Sequence, residues 1–443
     1  MRYFCIPFLF FPLIPFGQNP LSVSQAIEKA LSNNYQVRLI KVNKEISETQ
    51  NTWGMAGMAP TFSFNLTNTN NLTDNSNNPA SFFPGVVIVD NLQPNVDMAW
   101  TLFKGFGIRM NKQRFDQLEE QTKGNGIVVI ENIVYDVIVA YYTALVQQRK
   151  LDIIREVLTY SYSKLAYFQL KSELGVGRSI DELQFQNLAL ADSINFLTQE
   201  LAVRNSLRNL NLIMGEDTGN EYALTDSLEI TVPDVSFGDL KQSMLASNQN
   251  LKNQFINIAL QETNKKIQQS ALFPVVSVNL GATPSVGYIR LFGDSGFSTN
   301  TNSANYYGTI SARYTLFNGL QRKRNIEIAD LQSEIALLQT EDITLKLSHQ
   351  LVANFERYQT QSNIEDMALE MVYHSGQLWN YGKEQYEVSK LNLFDLNSIR
   401  VTYLQSQMNY YDRLFELLKT HYDLMRLTGK MAEEYKAAEK IEE

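Results

Sequence analysis

Hydrophobic and polar positions follow two different rhythms along this chain. From about residue 22 to Pro60, and again from 236 to Pro274, apolar residues recur near the 3.6-residue period of an amphipathic helix. Past each proline the period drops to 2. "TFSFNLT" sets Phe62, Phe64 and Leu66 on one face against Ser63, Asn65 and Thr67, and "VVSVNLG" sets Val276, Val278 and Leu280 against Ser277 and Asn279. A stretch rich in Asn, Ser, Thr and Gly then leads to a second alternation. There Val96, Met98, Trp100 and Leu102 alternate with Asp97, Ala99 and Thr101. In the later copy Ile310, Ala312, Tyr314 and Leu316 alternate with Ser311, Arg313 and Thr315. The pattern predicts two β-hairpins with strands of about 8–10 residues.

Beyond Gly105 and Gly319 the helical period returns. Ile127, Ile130, Val134, Val137, Tyr141 and Ala144 form a coiled-coil-like stripe. A helix over 106–174 would be roughly 100 Å long. "GNG" at 124–126 costs about 1 kcal/mol per glycine and predicts a kink. "LGVGRSID" predicts a reversal, with Gly175 and Gly177 suited to a helix end, and a second helix returns to Gly215.

"TLFKG" at 101–105 recurs as "TLFNG" at 315–319, 214 positions later. The same shift aligns Ser22 with Ser236, Leu31 with Leu245, Asn34 with Asn248, and Pro60 with Pro274. It also aligns Tyr167 with Tyr381, Glu173 with Glu387, Asp181 with Asp395, and Gly215 with Gly429. We read an internal duplication, with repeats at 18–216 and 232–430, a turn-rich connector at 217–231 and a charged tail at 431–443. Each repeat opens with capping-box spacing, Ser22 with Gln25 and Ser236 with Asp239.

The first 17 residues read as a secretory signal: Arg2, then an apolar run broken by Pro7, Pro12 and Pro15, then small Gly17. The single cysteine, Cys5, falls inside it, so the mature chain is expected to form no disulfide and no thiolate metal site. No later apolar run reaches the length of a membrane-spanning helix. The net charge of −9 and the lack of Lys/Arg clusters argue against a nucleic-acid partner. His349, His374 and His421 show no ligand spacing, and "GVGRSI" lacks the lysine of a phosphate loop, so no enzyme chemistry and no cofactor is expected.

Alternating strands also describe a half-buried soluble sheet. Strand length and the aromatics Trp100 and Tyr314 at the end of the apolar row favour a membrane barrel. Four strands per chain cannot close one, and open edges in lipid cost several kcal/mol per unpaired group, so several chains must assemble.

Over essentially the whole mature chain the sequence resembles the TolC-like outer-membrane efflux proteins. The resemblance rests on the opening "LSVSQAIEKALSNN", the "AP" and "FP" helix-to-strand steps, "TLFKG" and "TLFNG", and the turns "GVGRSIDEL" and "SKLNLFDLNSIR". It implies a mostly α fold with membrane β: a long α-helical barrel and a shared transmembrane β-barrel, four strands per chain and twelve in a homotrimer. It further implies an outer-membrane channel of a Gram-negative bacterium, embedded in outer-membrane lipid. The periplasmic end would dock to an adaptor protein and an inner-membrane pump.

By position, Asp181 and Asp395 would form the periplasmic constriction. The turns, with Gly175, Val176, Gly177, Ser389, Lys390, Leu391 and Asn392, would meet the adaptor. Both aspartates also suit a helix N-terminus wherever they point. The match departs from the family pattern at Ser389, where a glycine is usual, at Ser398, where a second acid occurs, and at Leu391, where some members carry a base. Arg178 appears instead in the first turn and could pair with Asp181 or Asp395. Gly105 and Gly319 are expected to be the strand-to-helix joints. An exported helical scaffold or adhesin without conduction, or a duct for secreted protein, would share many of these features.

Overall fold

The computed structural model describes residues 19–82, 84–176, 178–228, 236–292 and 296–431. The elements run β1 (Asn19–Leu21), α1 (Val23–Asn33), α2 (Tyr35–Gln50), β2 (Thr61–Asp74), β3 (Val86–Lys104), α3 (Gly107–Glu173) and α4 (Ser179–Met214). They continue with β4 (Tyr222–Leu224), α5 (Phe237–Ser247), α6 (Gln249–Ser270), β5 (Val275–Phe292), β6 (Ser298–Arg313), α7 (Gln321–Glu387) and α8 (Leu393–Leu427). The chain is mainly helical with a sheet region, as the two periods predict. The signal segment, Gly177, most of the charged tail and part of the connector lie outside the described residues.

Contacts divide the chain into two compact units. One comprises Met1–Lys41, Asn125–Gln249 and Thr344–Glu443. Its core gathers Ile130, Val134, Val137 and Ile138 of α3 with Ala26, Ile27 and Ala30 of α1, Leu210 and Met214 of α4, and Leu414 and Leu418 of α8. By composition this part of α3 is apolar enough to cross a membrane, contrary to the sequence reading, but its apolar side chains are spent on packing. The connector contributes β4, which pairs in parallel with β1. The buried Tyr141 hydroxyl ties this pair down, donating to the Leu21 carbonyl at 2.8 Å and accepting from the Thr225 amide at 3.1 Å.

Helix ends in this unit explain two of the aligned positions. Gly215 and Gly429 adopt left-handed φ of 71° and 72°. A Cβ at Gly215 would stand 2.9 Å from the Asn33 carbonyl, and one at Gly429 2.5 Å from that of Ser247. Next to these contacts, the Asn34 amide donates to the Ile213 carbonyl at 2.8 Å, and the Asn248 amide to the Leu427 carbonyl at 3.0 Å. Each glycine therefore answers both a backbone angle and a close approach.

The second unit comprises Val42–Gly124 and Asn250–Ile343 and contains an antiparallel sheet of order β2-β3-β5-β6. Cross-strand partners set its faces. Phe62, Met98, Leu280 and Gly308 share one row, and Phe64, Val96, Ala282 and Tyr306 another. Between them, on the opposite face, lie Ser63, Asp97, Gly281 and Tyr307. Over these rows one face is thus apolar and the other polar, whereas farther from the helices the first face carries Asn70, Asp90, Tyr288 and Asn300 in one row.

Several expectations need correction. The strands are 14, 19, 18 and 16 residues long, well beyond the predicted length. Pairing continues through Asn68, Asn70 and Asn71 of β2, opposite Leu92, Asp90 and Val89, because ladder hydrogen bonds need backbone partners and not apolar alternation. No break in α3 occurs at 124–126, where both glycines are buried and packing outweighs their propensity. α2 stops at Gln50 instead of reaching Pro60, and turns containing Gly57 at φ 94° follow. The capping box forms at Ser22 and Gln25, whereas Ser236 caps α5 without a side-chain bond.

Candidate functional site

Two regions hold the candidate residues: the helix-reversal turns and the sheet with its joints. In the first turn, Gly175 takes φ 71°, and the amides of Gly175 and Val176 donate to the Ser172 and Lys171 carbonyls at 3.0 and 3.1 Å. These bonds close the end of α3. In the second turn Ser389 takes φ 58°, with the same closure by Ser389 on Tyr386 at 3.1 Å and Lys390 on Gln385 at 2.9 Å. The departure from glycine changes the residue and leaves the backbone form intact. Gly177 lies outside the described residues.

The two aspartates have different local roles. Asp395 is exposed and tied to its own helix start: Asn392 accepts from the Asp395 amide at 2.9 Å and donates to the Asp395 carboxylate at 2.8 Å. That is a reciprocal cap of α8. Asp181 is half-buried in the first turn of α4, where its amide donates to the Arg178 carbonyl at 3.1 Å. Burial pushes the Tyr386 hydroxyl on α7 up to about 12, and the Asp181 charge adds to that shift. Arg178 is exposed and is the N-cap of α4 without a side-chain cap bond; Ser398 is also exposed.

Around these turns Val176, Val388 and Phe394 are exposed at 72%, 60% and 81%, an apolar surface unusual for a solvated hairpin. Lys390 and Asn392 are exposed beside them. Leu391 differs: it packs with Val157, Trp379, Leu396 and Tyr403 and belongs to the local core.

Deeper in the same unit is a pair that sequence reading missed. Arg400 of α8 and Asp192 of α4 form an ion pair with side chains only 9% and 3% exposed. Ser161 donates to the other Asp192 oxygen at 2.6 Å, and Asn397 accepts from Arg400 at 2.9 Å. At the positions 214 residues after Ser161 and Asp192, Ser375 and Ser406 bond to each other with no charge. A residue separation of 208 hides the Asp192–Arg400 pair from any local pattern.

At the joints, Gly105 and Phe106 take φ of 57° and 66°, and Gly319 and Leu320 both 64°. Each joint is two consecutive left-handed residues between strand and helix. A Cβ at Gly105 would run into the Ser270 carbonyl and stand 2.8 Å from Phe273 Cβ, while nothing lies within 4 Å at Gly319. Trp100 is 38% exposed on β3, and its indole N–H donates to the Met58 carbonyl at 2.8 Å. Tyr314 sits just past β6, with the Arg322 guanidinium 5.6 Å from its ring centre. Both aromatics lie at the helix-connected end of the sheet.

No protein-family model matches the sequence, and no curated protein does. Solved structures match in fold. The CmeC outer membrane channel of Campylobacter jejuni is similar at TM-score 0.74 and 13% identity, over 94% of this chain and 89% of that one. The outer membrane protein VceC of Vibrio cholerae is similar at 0.68 and 13%, over 92% and 96%. The open-state MtrE outer membrane channel of Neisseria gonorrhoeae is similar at 0.70 and 14%, over 92% and 88%. The chain has the fold of the TolC-like outer-membrane factors.

Proposed function

We propose that the chain is one protomer of a trimeric outer-membrane channel that conducts small molecules or secreted protein from the periplasm to the exterior. The observation that carries this reading is the four-stranded sheet, with one face apolar over its helix-connected rows and two unpaired edges, β2 and β6. The apolar face suits lipid and the polar face suits a water-filled lumen. Unpaired edges in lipid cost several kcal/mol per group, which copies of the chain would remove by closing a twelve-stranded barrel.

The duplicated order of elements supplies the register of that closure. The long helices start at Gly107 and Gln321 and end at Glu173 and Glu387, each pair 214 positions apart. β3 pairs with β5 so that Met98 opposes Leu280. Carried over by 214 residues, Ala312 on β6 would oppose Leu66 of the partner subunit. Oxidation of an Ala312→Cys, Leu66→Cys double variant should then produce covalent trimers. A control with Thr67→Cys, one residue out of register and on the opposite face, should not. Monomers from both variants, or equal linking in both, would refute this closure.

The long helices would continue the tube into the periplasm, with Asp181 and Asp395 narrowing its end and the exposed turns meeting an adaptor and, through it, an inner-membrane pump. Rings of carboxylates attract cations and narrow a pore. Asp395→Ala is expected to raise the conductance of the purified channel in planar bilayers. Unchanged conductance would remove Asp395 from the constriction.

A further inference from the structure

On the polar face of the sheet, one side chain crosses three strands. Tyr307 of β6 extends over Gly281 of β5, and its hydroxyl donates to the Asp97 carboxylate on β3. Gly281 makes this possible, since a methyl there would fall on the Tyr307 ring and stand 2.8 Å from Asp97 Oδ1. The Asn95 amide donates to the other carboxylate oxygen, and Asn95 accepts from Thr283 of β5 at 3.0 Å. Asp97 is thereby held from both sides against the wall.

The strand pairing makes this carboxylate electrostatically isolated. Among the described strand residues on the polar face, Asp97 is the one acid. The bases there, Lys104 of β3 and Arg313 of β6, both pair with Val275 and so share one row at the helix-connected end. That row and the row of Asp97 are separated along the strand by six residues, about 20 Å at 3.3 Å per residue. The remaining positions are mainly Ser, Thr, Asn and Gln, with apolar Val87, Val89, Ile289 and Leu291 toward the far end and Val275 between the two bases.

Resting on the channel reading above, we infer that Asp97 sets a cation preference inside the β-barrel, separate from the constriction at the helix turns. A trimer would place three such carboxylates at one level. Twelve strands about 4.8 Å apart and tilted near 40° give a wall radius of about 12 Å. That is close to the Debye length of about 10 Å at 0.1 M salt and well inside the roughly 30 Å at 0.01 M. The three charges therefore act across the whole lumen at low salt and fade at high salt. Tyr307 and Gly281 explain how the carboxylate lies along the wall, and the preference itself follows from its charge.

The test is the reversal potential of single channels of the full chain under a salt gradient in planar bilayers. Asp97→Asn should lower the cation-to-anion permeability ratio about two-fold or more near 0.01 M salt, and hardly at all near 1 M. Tyr307→Phe, which keeps the ring over Gly281 and the charge, should retain the wild-type preference. Should Asp97→Asn fail to assemble, Asp97→Cys can be read before and after modification in the same channel. A sulfonate-bearing thiol reagent should restore cation preference and a trimethylammonium reagent should reverse it. Conducting channels whose selectivity ignores the charge at position 97 would overturn this inference alone. A wild-type protein that forms no channel would remove the conducting reading and this inference with it.

Discussion

The two strand-to-helix joints have the same backbone and different surroundings. At 105–106 and 319–320 the chain makes two consecutive left-handed steps, the second taken by Phe106 or Leu320 at a cost of about 1–2 kcal/mol. The first joint follows β3, an interior strand, and its glycine is enclosed: Gly105 is buried and abuts the Ser270 carbonyl, while the exposed Phe106 sets its ring edge-on to Phe103 and Phe273. The second follows β6, an edge strand, and its glycine is open: Gly319 is exposed, and nothing lies within 4 Å of an added Cβ. The repeated "TLFxG" thus records a shared demand on backbone angles. Crowding comes from the position of the strand within the sheet.

This difference predicts unequal damage. Gly105→Val should cost more than about 3 kcal/mol, combining the left-handed strain with collision against a backbone carbonyl. Gly319→Val should cost only about 1–2 kcal/mol, the strain alone. The yield of protease-resistant protein and its melting temperature would separate them. Equal losses would mean that Gly319 is enclosed in the assembled protein, which is informative about closure at β6.

A second contrast lies between Ser161, Asp192 and Arg400 and the uncharged Ser375–Ser406 pair. Removing one partner of a buried ion pair costs about 3–5 kcal/mol, because the other charge stays buried. Arg400→Met alone should show that loss. Adding Asp192→Ser, which copies the arrangement of the later half, should recover most of it. A double variant as unstable as the sum of the two single variants would show that the ion pair contributes little beyond packing.

The smallest effect belongs to Lys29, Glu216 and Tyr222. Burial pushes Glu216 upward, but bonds from Lys29 at 2.6 Å and from Tyr222 at 2.5 Å leave it below the ordinary glutamate range. Lys29 is shifted upward, chiefly by its hydrogen bond to Glu216. A depressed carboxylate stabilises the fold above its unfolded pKa, and that stability is lost as pH falls through the folded value. The Lys29 side chain is 37% exposed, so Glu216→Gln should cost at most about 1 kcal/mol at pH 7, and the cost should shrink as pH falls below the ordinary glutamate range and through the depressed folded value. The positions in the later half that correspond to Lys29 and Glu216 are Ser243 and Lys430, which carry no acid and should show no such pH dependence. A pH-independent loss in Glu216→Gln would assign the site to packing.

The aligned glycines, the capping serine at residue 22 and the period switch after each proline were all legible in one dimension. Each expresses a local requirement: a φ angle, an orphan amide or an amphipathic face. The turns holding Asp181 and Asp395 were legible for the same reason, including the left-handed position that Ser389 fills. Strand length was not legible, because Asn-rich segments gain their pairing from a neighbouring strand and carry no alternation of their own. Leu391 looked like a surface residue until its packing against Trp379 and Tyr403 placed it in a core.

By itself, then, the sequence determined the order of elements, the repeated left-handed turns and which face of each strand is apolar, because these follow from neighbours a few residues apart. Only the tertiary structure decided which strands are edges, that Arg400 reaches Asp192, and that Tyr307 crosses Gly281 to Asp97. Those contacts join segments up to about 210 residues apart, and their energies depend on register and desolvation, which no local period encodes.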